Sequence, residues 1–178
     1  DVSATTRLTM FWGVGTLISI LLSGIVLIKL LGLLRLFRIG IVILLLLFPL
    51  LILAGAMQNV ALLQITVLGL GLGTGLSAAS LLAYMVQFTT TKRAGLMVGV
   101  WGVGHQLGRA LASVLGGALV DGMKWATNDN YLAAYGTAFM LEAALLLVAM
   151  VAIGRLHIET AEALREEQRP TASVPVAG

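Results

Sequence analysis

The sequence predicts an all-α protein, a polytopic membrane helix bundle, from three observations. Apolar residues make up 59% of the 178 residues and charged residues 11%, whereas soluble domains hold about 45–50% and about 25%. Mean hydropathy is +1.02, and the apolar excess recurs along the chain as long runs parted by short polar breaks. The runs do not alternate apolar with polar residues, as "IVILLLLFPLLILAG" at 41–55 shows, so the strands of a membrane β-barrel are not what they encode.

A membrane helix needs about 20 predominantly apolar residues, and five spans meet that length. The first is expected over 8–31 and the second over 39–57. The third covers 60–86, joined to the second by only "QN", a tight helical hairpin. The fourth covers 94–120 and the fifth 131–154. Together they make a transmembrane domain over 1–157, followed by a polar cytoplasmic tail over 158–178. That tail is expected to begin as a short helix and lose order around Pro170. Asp1 opens the chain with no signal peptide before it, which predicts a partial chain with its natural N-terminus elsewhere.

Basic residues orient the bundle. Lys29, Arg35 and Arg38 flank the first link, Lys92 and Arg93 lie in the third, and Arg155, Arg165 and Arg169 follow the fifth span. The opposite side holds only Arg7 and Lys124, a ratio of eight to two. The N-terminus is therefore expected outside and the C-terminus in the cytoplasm. The absence of cysteine excludes disulfide scaffolds and thiolate chemistry. No clustered basic face on a polar domain suggests nucleic acid as a partner; membrane lipid is the surrounding the composition calls for.

The third span contains "GLGLGTGLSAAS", in which Gly73, Gly75 and Ala78 fit a relaxed dinucleotide-binding fingerprint. No strand precedes it and no acidic residue follows at the required distance, so close helix packing is the better reading. The fourth span repeats the device at four-residue spacing in Gly104, Gly108, Ala112 and Gly116. Such a ladder predicts tight contact with another helix, within this chain or beyond it.

That same span carries Arg109. Counted from an outer end at Val120, it lies about 16 Å deep, near the middle of a hydrocarbon core of about 30 Å. A charge there costs at least about 2.5–3.5 kcal/mol and should face protein or water. Glu142, the fifth span's sole charge, lies as many residues from its outer end at Tyr131. Arg109 and Glu142 are thus expected at one depth, as an intramembrane polar pair bonded directly or through water. His105 precedes Arg109 by one turn and Gln106 is adjacent. Three roles are open to this cluster: a structural polar network that fixes helix register, a path for substrate or protons, or axial ligation of a tetrapyrrole metal by His105. No catalytic constellation and no resident metal site is expected: there is no HExxH, no Walker loop and no carboxylate pair within a span. The protein is not read as an enzyme.

The layout resembles the last five helices of a twelve-helix major facilitator transporter. "TTRLTMFWGVGTL" at 5–17, "GLMVGVWGVGHQLG" at 95–108, "GGALVD" at 116–121 and "AYGTAFMLEAALLL" at 134–147 are together similar to the PucC/LhaA family, the photosynthesis-linked branch of that superfamily. The resemblance covers about residues 1–157. It implies a membrane factor for assembling light-harvesting antenna complexes, one that handles or delivers (bacterio)chlorophyll as a transient ligand. It also implies partners: the first seven helices or a separate chain supplying them, antenna polypeptides, and pigment-synthesis enzymes. Two other functions fit the residues, a proton-coupled exporter of a small molecule working through Glu142 and a non-transporting structural fragment.

Overall fold

In the computed structural model, residues 2–87 and 94–167 are described; Pro170 and the end of the tail lie outside them. Every element is helical: α1 (Val2–Leu22), a π-helical turn (Ser23–Leu27), α2 (Ile28–Leu31), α3 (Leu33–Ala56), α4 (Val60–Gln87), α5 (Ala94–Ala126) and α6 (Tyr131–Glu167). The first three form one continuous rod that ends at Gly32, whose φ of 77° turns the chain into α3. With no Cβ, glycine adopts that left-handed backbone without penalty. The protein is an all-α membrane helix bundle.

Among the described residues, four stretches are long and apolar enough to cross a bilayer: Thr5–Leu31, Leu33–Ala56, Val60–Gln87 and Tyr131–Arg155. Five were expected. Helix α5, at 33 residues, has the length but not the composition, because glycines and His105, Gln106, Arg109, Asp121 and Lys124 dilute its apolar content. Many large apolar side chains of the four stretches are exposed, among them Leu17, Leu30, Leu46, Ile65 and Leu145, as a lipid-facing surface requires.

The helices stand in the lateral order α1, α4, α3, α6, α5, each packed on the next. α4 sits between α1 and α3, and its alternating glycines explain how. Two residues along a helix turn it through about 200°, so "GLGLGTG" presents small residues to opposite neighbours. Gly71 and Gly75 face α1: a Cβ at Gly71 would meet the Trp12 carbonyl, and one at Gly75 the Thr16 carbonyl at 2.6 Å. Gly69 and Gly73 face α3, where a Cβ at Gly73 would lie 3.1 Å from the Gly40 carbonyl. Helices approach this closely in a bilayer through small residues, since lipid offers no hydrophobic drive to associate.

The partner helices are cut to match. Gly15 and Ser19 of α1 and Ser23 of the π-helical turn form a buried stripe at four-residue spacing. On α3, Leu36, Gly40, Ile41, Leu44 and Phe48 are buried against α4 and α6. Hydroxyls inside the bundle donate back to their own helix, as from Ser80 to the Leu76 carbonyl at 2.6 Å and from Ser23 to the Ser19 carbonyl at 2.6 Å. This satisfies buried polar atoms without a partner helix. Thr16 reaches farther: its Oγ1 donates to the Trp12 carbonyl at 2.9 Å and lies 3.2 Å from the Gly71 carbonyl across the helix boundary.

Both turns at one end of the bundle close with asparagine. Asn59 Oδ1 accepts from the Leu62 N–H at 3.0 Å, and Asn130 Oδ1 from the Ala133 N–H at 3.1 Å. Each caps the helix that follows.

Candidate functional site

The chemistry-bearing residues singled out by the sequence lie on the α5–α6 hairpin at the edge of the row. Helix α5 packs on α6, and none of its described side chains is buried. His105, Gln106, Arg109 and Glu142 are all exposed. His105 stacks on Trp101 one turn before it, with ring centroids 5.2 Å apart and planes 7° from parallel. This contact fixes the imidazole against its own helix and leaves its edge open.

The hairpin register differs from the one the span boundaries suggested. α5 does not stop near Val120; it continues to Ala126, and α6 starts at Tyr131 after a four-residue turn. Lys124 confirms which levels face each other: its Nζ lies 4.9 Å from the Tyr131 ring centroid and 5.8 Å from that of Tyr135. Counted from these ends, Arg109 is seventeen residues deep and Glu142 eleven, an axial offset of about 9 Å. Among the described residues, no ion pair joins the two.

The small-residue ladder tells the same story. A Cβ at Gly104, Gly108 or Gly116 would meet nothing within 4 Å. Among the described residues, Gly104, Gly108 and Gly116 therefore meet no close neighbour, in contrast to the glycines of α4. Ala112 and Gly116 instead line an open groove of about 400 Å³ between α5 and α6, with Asp121, Lys124 and Tyr135 at its outer part.

A second cavity, about 490 Å³ and lined almost wholly by apolar atoms, opens among the ends of α1, α3, α4 and α6. Tyr131, Tyr135 and Phe139 form one wall, and Phe139 stacks on Phe48 with centroids 5.9 Å apart. Cavities of this size lie within the range of small-molecule sites. The sequence carries a signal for this wall, three aromatic residues at four-residue spacing. Among the described residues, no cluster of three or more His, Cys, Asp or Glu is placed to hold a metal ion.

These features define a class: an integral membrane protein built as an α-helical bundle, with an uncovered polar helix at one edge. The chain belongs to the PucC family, since the family described as PUCC protein matches residues 1–161. That is a photosynthesis-linked family of membrane proteins. No curated protein and no solved structure matches the chain.

Proposed function

We propose that this protein assists the assembly of light-harvesting antenna complexes, handling or delivering (bacterio)chlorophyll in the photosynthetic membrane. Membership of the PucC family over residues 1–161 is the observation that carries this reading. The uncovered face of α5 supports it. The glycines of α4 are closed against neighbouring helices, while those at 104, 108 and 116 face open space beside an exposed Arg109. In hydrocarbon such a face needs covering by protein or a polar ligand. Candidate occupants are an antenna polypeptide, a pigment-synthesis enzyme, or helices supplied by further sequence or a separate chain. His105 and Gln106 would contact substrate or pigment on that face, and Arg109 and Glu142 would each meet a counter-group there. The excess of Lys and Arg at the other end of the bundle supports an N-terminus outside and a C-terminus in the cytoplasm.

Deletion of the gene in a pigmented host tests this reading. The expected result is loss of antenna absorbance with pigment synthesis unchanged, restored by the wild-type chain and only weakly by His105→Ala or Arg109→Ala. Intact antennae with altered tolerance to a small solute would support the exporter function instead. Intact antennae with no phenotype would leave a structural role.

A further inference from the structure

The turn end of the α5–α6 hairpin carries charge and cavity together. Asp121 and Lys124 are one helical turn apart on α5, and both border the groove of about 400 Å³. Among the described residues no ion pair joins them. The Lys124 ammonium is held over the faces of Tyr131 and Tyr135, a cation–π arrangement that fixes its position while leaving its donors available. Tyr135 lines both this groove and the apolar cavity of about 490 Å³, so the ammonium stands at the divide between two spaces. The floor of the groove is Gly116 and Gly117, where even a Cβ would touch nothing. The level is that of Tyr131 and the helix turns, where a bilayer places headgroups and amphipathic rings.

We propose that this end of the hairpin binds a phospholipid whose headgroup carries both a phosphate and a primary ammonium, as in phosphatidylethanolamine. Charge complementarity selects it. Lys124 receives the phosphate, and Asp121 accepts hydrogen bonds from the ammonium. One acyl chain follows the glycine floor between α5 and α6, and the other enters the apolar cavity beyond Tyr135. Phosphatidylglycerol offers nothing cationic to Asp121, and the quaternary ammonium of phosphatidylcholine has no N–H to donate.

Lipid retention by the purified full chain, delipidated in detergent and titrated with one lipid at a time, tests the proposal by native mass spectrometry. The probes are phosphatidylethanolamine, phosphatidylglycerol and phosphatidylcholine with identical acyl chains. Phosphatidylethanolamine should be retained at least fivefold more tightly than either of the others. Lys124→Met should lower its retention at least fivefold, and Lys124→Arg should preserve it. Asp121→Asn should remove the preference over phosphatidylglycerol while leaving retention of phosphatidylglycerol itself intact. Far-UV circular dichroism and a monodisperse elution profile establish that each variant is folded. Equal or tighter retention of phosphatidylglycerol or phosphatidylcholine overturns the proposal, as does unchanged lipid preference in folded Lys124→Met and Asp121→Asn.

Discussion

Gly71 of α4 lies against the Trp12 carbonyl of α1 with no room for a side chain between them. The obstacle is backbone, which cannot swing aside as a flexible side chain would. Gly71→Ala should therefore push the two helices apart and destabilise the bundle by about 1–3 kcal/mol, the usual cost of overpacking. Unfolding in mixed micelles titrated with dodecyl sulfate measures it. Gly108→Ala is the matched control, because a Cβ there meets nothing within 4 Å. Its effect should stay within about 0.5 kcal/mol. An equal loss from both substitutions would contradict the open face assigned to α5.

Thr16 is the hydroxyl that bridges α1 and α4, 3.2 Å from the Gly71 carbonyl. Thr16→Val keeps the branched shape and removes the donor. Hydrogen bonds between membrane helices average about 0.6 kcal/mol, so a loss near that size is expected in the same titration. A loss several times larger would mean that the hydroxyl does more than the two acceptors in reach of it indicate.

For Arg109 and Glu142, the axial offset within the hairpin leads to additivity. In a double-mutant cycle on stability, Arg109→Ala and Glu142→Ala should combine within about 0.5 kcal/mol, as independent sites do. A coupling energy of about 1 kcal/mol or more would establish a direct or water-bridged pair and require the two helices to slide into a different register.

The cap on α6 can be tested alone. Asn130 Oδ1 accepts from the Ala133 N–H at 3.1 Å, so Asn130→Ala should cost about 1 kcal/mol. Asn130→Asp should restore most of that, since a carboxylate accepts the same bond. Failure of Asn130→Asp to recover stability would remove capping as the explanation.

Run length made four helices legible from the sequence, because each apolar stretch matches the bilayer and polar links interrupt it. The glycines of α4 were legible as packing residues, since no strand or acidic partner supported a nucleotide site. Their partners were not, because hydropathy says that a helix is buried in lipid but not which helix stands beside it. Nothing in the composition of α1 names α4 rather than α3 as its neighbour; that follows from Gly15, Ser19 and Ser23 meeting a matching strip. The end of α5 was not legible in the sequence for a related reason. "VDG" at 120–122 reads as an exit from the membrane, yet leaving hydrocarbon does not end a helix. Backbone hydrogen bonding continues to Ala126, and the turn comes where Asn128 and Asp129 adopt φ of 51° and 62°. Asparagine and aspartate tolerate that conformation better than most residues. The six added residues shift Arg109 relative to Glu142 and alter the chemistry that the same two residues can share.

The lateral order also sets a schedule for biogenesis. α1 precedes α3 in the chain but packs chiefly against α4, so its contact with α4 must wait until the α3–α4 hairpin is made. Its serines and threonines donate to carbonyls of their own helix, bonds that need no companion helix. α5 faces the shorter delay, since α6 follows it directly. A ribosome stalled before α4 would hold α1 and α3 without the helix that packs between them; one stalled after it would hold the α1–α4–α3 core, with the polar edge still to be synthesised.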